Sequence, residues 1–445
     1  MILVDKALEA REQEGRPIRV GMIGAGQVGQ GLANQIVNSV RGMRLSAVFN
    51  RHPERAHHVY RYAGRDDNHI VEVANVRDMD EAIWRGKSVV AEDPFAICRS
   101  DQIDVVVDVT GAVDFGAQVI LEAFKHGKPV ILLNAEVDAT IGPILQTYAR
   151  KYGTILSAAD GDEPAVQMNL FRTVKGMGLI PRVMINVKGL QDPYRNPTTQ
   201  QAWAERWDAN AAMVTSFADG SKVSFEQAIV ANATGFKVRT RGMSRGLKVD
   251  GPIMDMGKLY DLDEARAMGG IIDYTVGPAG AKVFCLAEHP DPKQRHYLNL
   301  YKMGEGPLYP FFTPYHLVHF ETPNTIARVV LFGDEVAPPL AGPVVEVCAV
   351  AKRDLRAGET LDNYGMYTTY GEAVNTEEMS SRRYLPEGLA EGCILLRDIP
   401  KDGVLTYNDV ELPRGRLADQ LRAEQYRHFS GETWLEDLLA PALAV

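Results

Sequence analysis

The sequence predicts an α/β protein in three parts: an open parallel sheet with helices on both faces, a central α+β region, and a small β-rich module at the end. Three observations predict it. Through the first third, apolar runs of strand length alternate with stretches of helical period. From about Arg182 the strand-like runs partly alternate polar and apolar, as strands do in a mixed or antiparallel sheet with one covered face. After "GDEVAPPLAGP" (Gly333 to Pro343), a linker rich in Pro and Gly, the strands become short and are broken by Gly-Glu and Asp-Gly turns. The expected domains are residues 1–160, 161–335 and 336–445.

The first element, "MILVDKALEAREQEG", carries acids and reads as a short amphipathic helix rather than a signal peptide. In "IRVGMIGAGQVGQGLANQIVNSV", Ile18 to Ile23 is an apolar strand, and a helix follows through Val40. Between them Gly24, Gly26 and Gly29 give the G-x-G-x-x-G spacing, with Gln27 and Val28 inside it. The first glycine permits the tight turn and the second lets the backbone approach a pyrophosphate. The third lets helix and strand pack closely, with the helix N-terminus facing the phosphates. Strand, turn and helix arrive in the required order, so this is a Rossmann-type dinucleotide-binding unit. A second strand, "LSAVFNR", ends about twenty residues on, where a ribose-reading residue is expected. Asn50 and Arg51 stand there instead of an acid. Arg51 is suited to a 2′-phosphate, which favours NADP over NAD; the alternative is a surface Arg before the helix at Pro53.

Further strands follow in "IDVVVDVTG", "PVILLNAEV" and "TILSAAD", separated by the helical stretches "AVDFGAQVILEAFKHGK" and "GPILQTYARKYG". Ligands of such sheets lie at the carboxyl ends of the strands, where Thr110, Gly111, Asn134 and Glu136 emerge. The acid cluster "DGDEP" emerges there too, with Asp160, Asp162 and Glu163. Asp160 or Asp162 is expected to cap the helix beginning near Pro164. The other carboxylates then face a substrate, either by hydrogen bonds to its hydroxyls or through Mg²⁺ or Mn²⁺, which take hard oxygen ligands.

In the central region "RVMINVKGL", "KVFCLAEH" and "HYLNLYKMG" read as strands, and Ser221–Ala233 as a helix with Val223, Ala228, Ile229 and Val230 in its core face. Asp219 and Lys222, brought to one helix face, are a candidate acid/base pair; the plainer reading is a surface ion pair, or an N-cap by Asp219 or Ser221. Lys188 closes a strand. Lys237, Arg239 and Arg241 alternate, as a phosphate or carboxylate clamp or as a charged edge strand. Tyr194, Arg195 and Asn196 lie in the loop "PYRNPTTQQAWAERW", either over a polar substrate or as anchors of the loop itself.

A net charge of −10 with no basic stripe excludes a nucleic-acid backbone as the expected partner. No apolar run has the length to span a bilayer. Four scattered cysteines indicate neither a disulfide scaffold nor a zinc site, which leaves a reduced, cytoplasmic protein as the expectation.

The first two-thirds resembles homoserine dehydrogenase in layout. In that family a strand ending in Asn-Lys supplies a catalytic lysine; here "LLNAE" carries Glu136 in that place. The family's substrate-binding Asp and protonating Lys have their nearest counterparts in Asp219 and Lys222, spaced by three. The tail, with "AKRDLRAGETL" and "RDIPKDGVLTYNDV", resembles a SAF domain. The combination is similar to the 1-deoxy-D-xylulose 5-phosphate reductoisomerase-like (type II) group. The resemblance, taken with Arg51, implies a homodimeric oxidoreductase that prefers NADP to NAD, with Mg or Mn as the candidate metal, acting on a small polyhydroxylated and phosphorylated or otherwise anionic substrate. The roles implied are Lys222, Asp219, Glu136, Asp162 and Glu163 in catalysis, and Asp160, Lys188, Tyr194, Arg195, Lys237 and Arg239 on the substrate. Two alternatives stand beside it: a simple sugar-derivative dehydrogenase of a cell-surface carbohydrate pathway, and a non-catalytic nucleotide-bound sensor or assembly protein.

Overall fold

The computed structural model describes residues 3–443, so the extreme ends of the first and third expected domains lie outside the described residues. The chain divides into two compact units. The first comprises Met1–Asp138, Ile144–Ala165 and Leu317–Pro338; the second comprises Ala139–Pro143, Val166–His316 and Pro339–Val445.

The first unit holds seven strands, β1 (Ile18–Ile23), β2 (Met43–Phe49), β3 (Ile70–Val73), β4 (Ser88–Ala91), β5 (Val105–Asp108), β6 (Val130–Leu132) and β7 (Leu156–Ala158). All pair in parallel, in the order β3-β4-β2-β1-β5-β6-β7. Their near-continuous Val/Ile/Leu runs reflect burial on both faces, which helices cover. The chain winds outward from β1 through β2, then returns to β5 and winds the other way. The switch point therefore lies between β1 and β5, beside the glycine turn. The helix Val318–Phe332 also belongs here: Ile326, Ala327 and Val329 join the core with Val20, Met22 and Leu32. The expected central domain had included that helix; its apolar face is what carries it to the nucleotide unit.

The second unit is built on a mixed sheet of β8 (Ile180–Lys188), β9 (Leu247–Lys248), β10 (Ile271–Val276), β11 (Val283–Glu288) and β12 (Tyr309–Thr313), in the order β12-β11-β8-β10-β9. β8 runs parallel to β10 and antiparallel to β11. The helix Ser221–Thr234 is buried around its whole circumference from Ser221 to Asn232. The antiparallel pair β13 (Val345–Ala351) and β14 (Thr369–Asn375) closes over it. There the Gly371 N–H donates to Ser221 Oγ at 2.9 Å, and Ser224 Oγ donates to the Gly371 carbonyl at 3.0 Å. The tail is thus part of the second unit's core.

Two expected elements are corrected. "HYLNLYKMG" is not a strand: its first five residues, His296–Leu300, end the helix Pro292–Leu300, which is started by Asp291, accepting the Lys293 N–H, with Pro292 in the first turn, and the rest lies beyond the helix. None of its residues is buried, so its apolar spacing reports no core face. "PVILLNAEV" is a strand only to Leu132; Asn134 then caps a helix, Ala135–Lys151, that runs on through "GPILQTYARK". Among the described residues no helix is long and apolar enough to cross a membrane.

Candidate active site

The three glycines occupy three different environments. Gly24 sits at φ +111, and a Cβ there would lie 2.8 Å from Val109 Cγ2 and 2.9 Å from its carbonyl oxygen. A Cβ on Gly29 would meet the Gly24 carbonyl oxygen at 3.0 Å. A Cβ on Gly26 would meet nothing within 4 Å. Gly24 and Gly29 are therefore required by the protein itself, whereas Gly26 leaves room for a ligand at the N-terminus of the helix Gln27–Ser39. Val28 is exposed in that first turn.

Across the switch point the end of β5 is held by a buried network. Asp108 accepts the Thr110 N–H at 2.9 Å and the Asn134 amide at 3.0 Å. Asn134 also donates to the Ala112 carbonyl at 3.0 Å, and its own oxygen accepts the Val137 N–H at 3.2 Å. Burial raises the Asp108 carboxyl above its ordinary value, against the lowering pull of these hydrogen bonds. Asn134 is wholly buried and shapes the Thr110–Gly111 turn from behind; Thr110 and Gly111 are half-buried at the strand end. Asp108, which sequence reasoning missed, is the centre of the network. At the tip of β2, Asn50 accepts the His52 N–H at 3.0 Å and Arg51 is exposed.

The acid loop follows β7. Both Asp160 oxygens accept from Arg328 Nη1, at 3.2 and 3.0 Å, and Arg328 is held in turn by Asp334 at 2.8 Å. Asp160 is thus half of a buried ion pair. Glu163 is buried and opens the helix Glu163–Gly176. Asp138, another acid the sequence reading passed over, lies in the first turn of Ala135–Lys151. It is 5% exposed, and no hydrogen bond reaches its carboxylate from any described residue. Burial, and after it the charge of Asp162, pushes its carboxyl up to about 7. Glu136 is buried on the same turn. Counted from Asn134, the place of the family lysine is taken by Ala135, not by Glu136 as the resemblance suggested.

In the second unit the charges expected to meet substrate are largely answered by opposite charges elsewhere in the same unit. Asp219 ends the helix Ala211–Asp219, and Gly220, at φ +96, separates it from the helix that contains Lys222. The two residues therefore do not share one helix face. Asp219 accepts the Ser221 N–H at 2.8 Å and pairs with Lys352 at 2.8 Å; Lys352 also donates to the carbonyls of Arg195 and Met366. Burial still leaves the Asp219 carboxyl raised, with Lys352 lowering it. Lys222 is buried in the first turn of its helix. Lys188 pairs with Glu226 at 2.8 Å. The supposed clamp is taken up residue by residue: Lys237 with Glu377 at 2.6 Å, Arg239 with Asp273 at 3.0 Å, Arg241 with Glu372 at 2.8 Å. Tyr194 donates to Asp402 at 3.1 Å, Arg195 pairs with Asp192 at 3.0 Å, and Asn196 caps the helix Pro197–Trp207. These contacts match the loop-anchoring alternative.

Fold and glycine turn together define a Rossmann-type dinucleotide-binding unit. Residues 24–156 match the model of the homoserine dehydrogenase NAD binding domain, and residues 161–322 match that of the oxidoreductase DRL catalytic domain. The homoserine dehydrogenase of Methylobacillus glycogenes is 30% identical over 128 residues, which are 28% of this chain and 26% of that protein. The homoserine dehydrogenase of Neisseria gonorrhoeae is 24% identical over 158 residues, 34% of this chain and 32% of that protein. The chain thus spans less than a third of the length of either relative. Among solved structures, 1-deoxy-D-xylulose 5-phosphate reductoisomerase from Zymomonas mobilis in complex with NADPH is similar at 17% identity and a TM-score of 0.36, over 73% of this chain and 83% of that one.

Proposed function

We propose that the chain transfers hydride between NADP and a carbonyl or alcohol carbon of a small, polyhydroxylated, anionic substrate, as a reductoisomerase of the deoxyxylulose-phosphate kind. The observation that carries the reading is the acid group behind β6 and β7. Asp138 is nine-tenths buried without a hydrogen-bond partner among the described residues, and it feels the charge of Asp162. Carboxylates brought together on the carboxyl side of adjacent strands suit substrate hydroxyls or a hard divalent cation.

With Asp160 engaged by Arg328, the residues proposed to hold Mg²⁺ or Mn²⁺ are Asp162 and Glu163. Their oxygen donors fit such an ion, which when bound would polarise a keto and an adjacent hydroxyl oxygen. The glycine turn seats the pyrophosphate and Arg51 meets the 2′-phosphate. Lys222, buried near the start of its helix, is proposed to supply the proton to the substrate oxygen as an ammonium in reduction and to take it back as an amine in oxidation. The homodimer implied by the resemblance remains part of the proposal, to be read by light scattering. The test is a substrate panel followed by NADPH absorbance, with magnesium and with a chelator. Deoxyxylulose-phosphate turnover that stops on chelation is expected. Metal-independent, reversible oxidation of a sugar derivative would move the assignment to the simple dehydrogenase.

A further inference from the structure

The helix Val318–Phe332 touches both halves of the nucleotide unit's chemistry. On one side it grips the acid loop at consecutive turns. Thr325 Oγ1 accepts the Asp160 N–H at 2.6 Å, and Arg328, one turn on, binds both carboxylate oxygens of Asp160. Gly161, at φ +88, lies against the helix start so closely that a Cβ would fall 2.7 Å from the Leu317 carbonyl oxygen and 2.8 Å from Val318 Cα. On the other side, a Cβ on Gly31 of the nucleotide helix would lie 2.9 Å from the His319 ring. Gly161 thus permits a close backbone contact between the acid loop and the helix start, and Gly31 lets the His319 ring close onto the cofactor helix. The Asp160–Arg328 pair is buried, so it is costly to break and holds one geometry.

From these contacts we infer that Arg328, Thr325 and Gly161 are positioning residues. They lock the acid loop onto the helix Val318–Phe332, and His319 against Gly31 fixes the same helix to the nucleotide helix. The placing of Asp162 and Glu163 relative to the cofactor is thereby set by a segment that enters the fold more than a hundred residues after the loop. The inference rests on the proposed function in that Asp162 and Glu163 are taken to hold the ligand.

The test uses the full chain and three variants: Thr325→Val, Thr325→Ser and Gly161→Ala. Amide exchange by mass spectrometry reports the loop itself. Thr325→Val and Gly161→Ala are expected to speed exchange at residues 160–163 at least tenfold and leave residues 24–29 unchanged, while Thr325→Ser behaves as wild type. Binding of Mn²⁺, followed by its paramagnetic resonance signal, is expected to weaken at least fivefold in the first two variants. NADPH affinity, followed by nicotinamide fluorescence, stays within twofold. Unchanged exchange at residues 160–163 in both variants would overturn the inference, and so would faster exchange with wild-type Mn²⁺ affinity when Asp162→Asn abolishes it. If Asp162→Asn itself binds Mn²⁺ as wild type, the metal reading of the loop fails instead, and the exchange data alone decide the lock. Should Gly161→Ala not fold, the Thr325 pair carries the comparison.

Discussion

Replacing Asp138 by Asn should change how stability depends on pH. In the folded protein this carboxyl titrates at about 7, against an ordinary value of 3.8, because it is buried beside Asp162. Between those values the folded protein keeps a proton that the unfolded chain has released. The unfolded state then binds fewer protons, so stability falls as pH rises from about 4 to 7 and levels off above. A shift of that size corresponds to at most ~4 kcal/mol at pH 8, at about 1.4 kcal/mol per unit. The 5% exposure of the residue admits some water, so ~1–3 kcal/mol is the expected range. Asn has nearly the shape of the protonated acid, its amide can donate to Asp162, and it does not titrate. Urea unfolding of both proteins at pH 5, 6, 7 and 8, with chelator present, measures the difference. The variant's advantage should grow from pH 5 to pH 7 and hold from there to pH 8. Parallel pH profiles, or a variant less stable at pH 8, would refute the argument, since either means that Asp138 carries no uncompensated charge in the folded state.

Gly26→Ala should fold like the wild type and lose at least tenfold in NADPH affinity by fluorescence titration, because its Cβ meets only the ligand's space. Gly24→Ala should instead lower the unfolding free energy by ~1–3 kcal/mol, from its positive φ and its contact with Val109. Arg51→Ala should weaken NADPH by about tenfold and leave NADH unchanged, measured as the ratio of their dissociation constants. Lys352→Met strands Asp219 in the core and should cost ~3–5 kcal/mol in chemical denaturation, and Asp219→Asn in the same chain should recover part of that.

What the sequence made legible follows the range of the interaction that fixes each residue. The glycine turn could be assigned because its roles are local: a positive φ, a close helix–strand contact, an open approach, all settled within a few residues. The parallel sheet was legible for a similar reason, since burial on both faces writes continuous apolar runs. The charged candidates were not, because a carboxylate's role depends on which cation the fold brings to it. Asp160 meets Arg328 168 residues on, Asp219 meets Lys352 133 on, and Arg241 meets Glu372 131 on. Local spacing made Asp219 and Lys222 look like a pair, whereas the Gly220 break sends Asp219 to the tail instead. The converse holds for Asp138. Nothing in "AEVDATIG" distinguishes it from a surface acid on a helix, and its only signal was its place in the turn after a strand end. It becomes a candidate once the fold lays β7 beside β6 and brings the charge of Asp162 to bear on it. A charged residue in such a protein is therefore best judged by the partners the fold brings to it, and in the nucleotide unit Asp138 is set apart because the neighbour brought to it is another acid, Asp162.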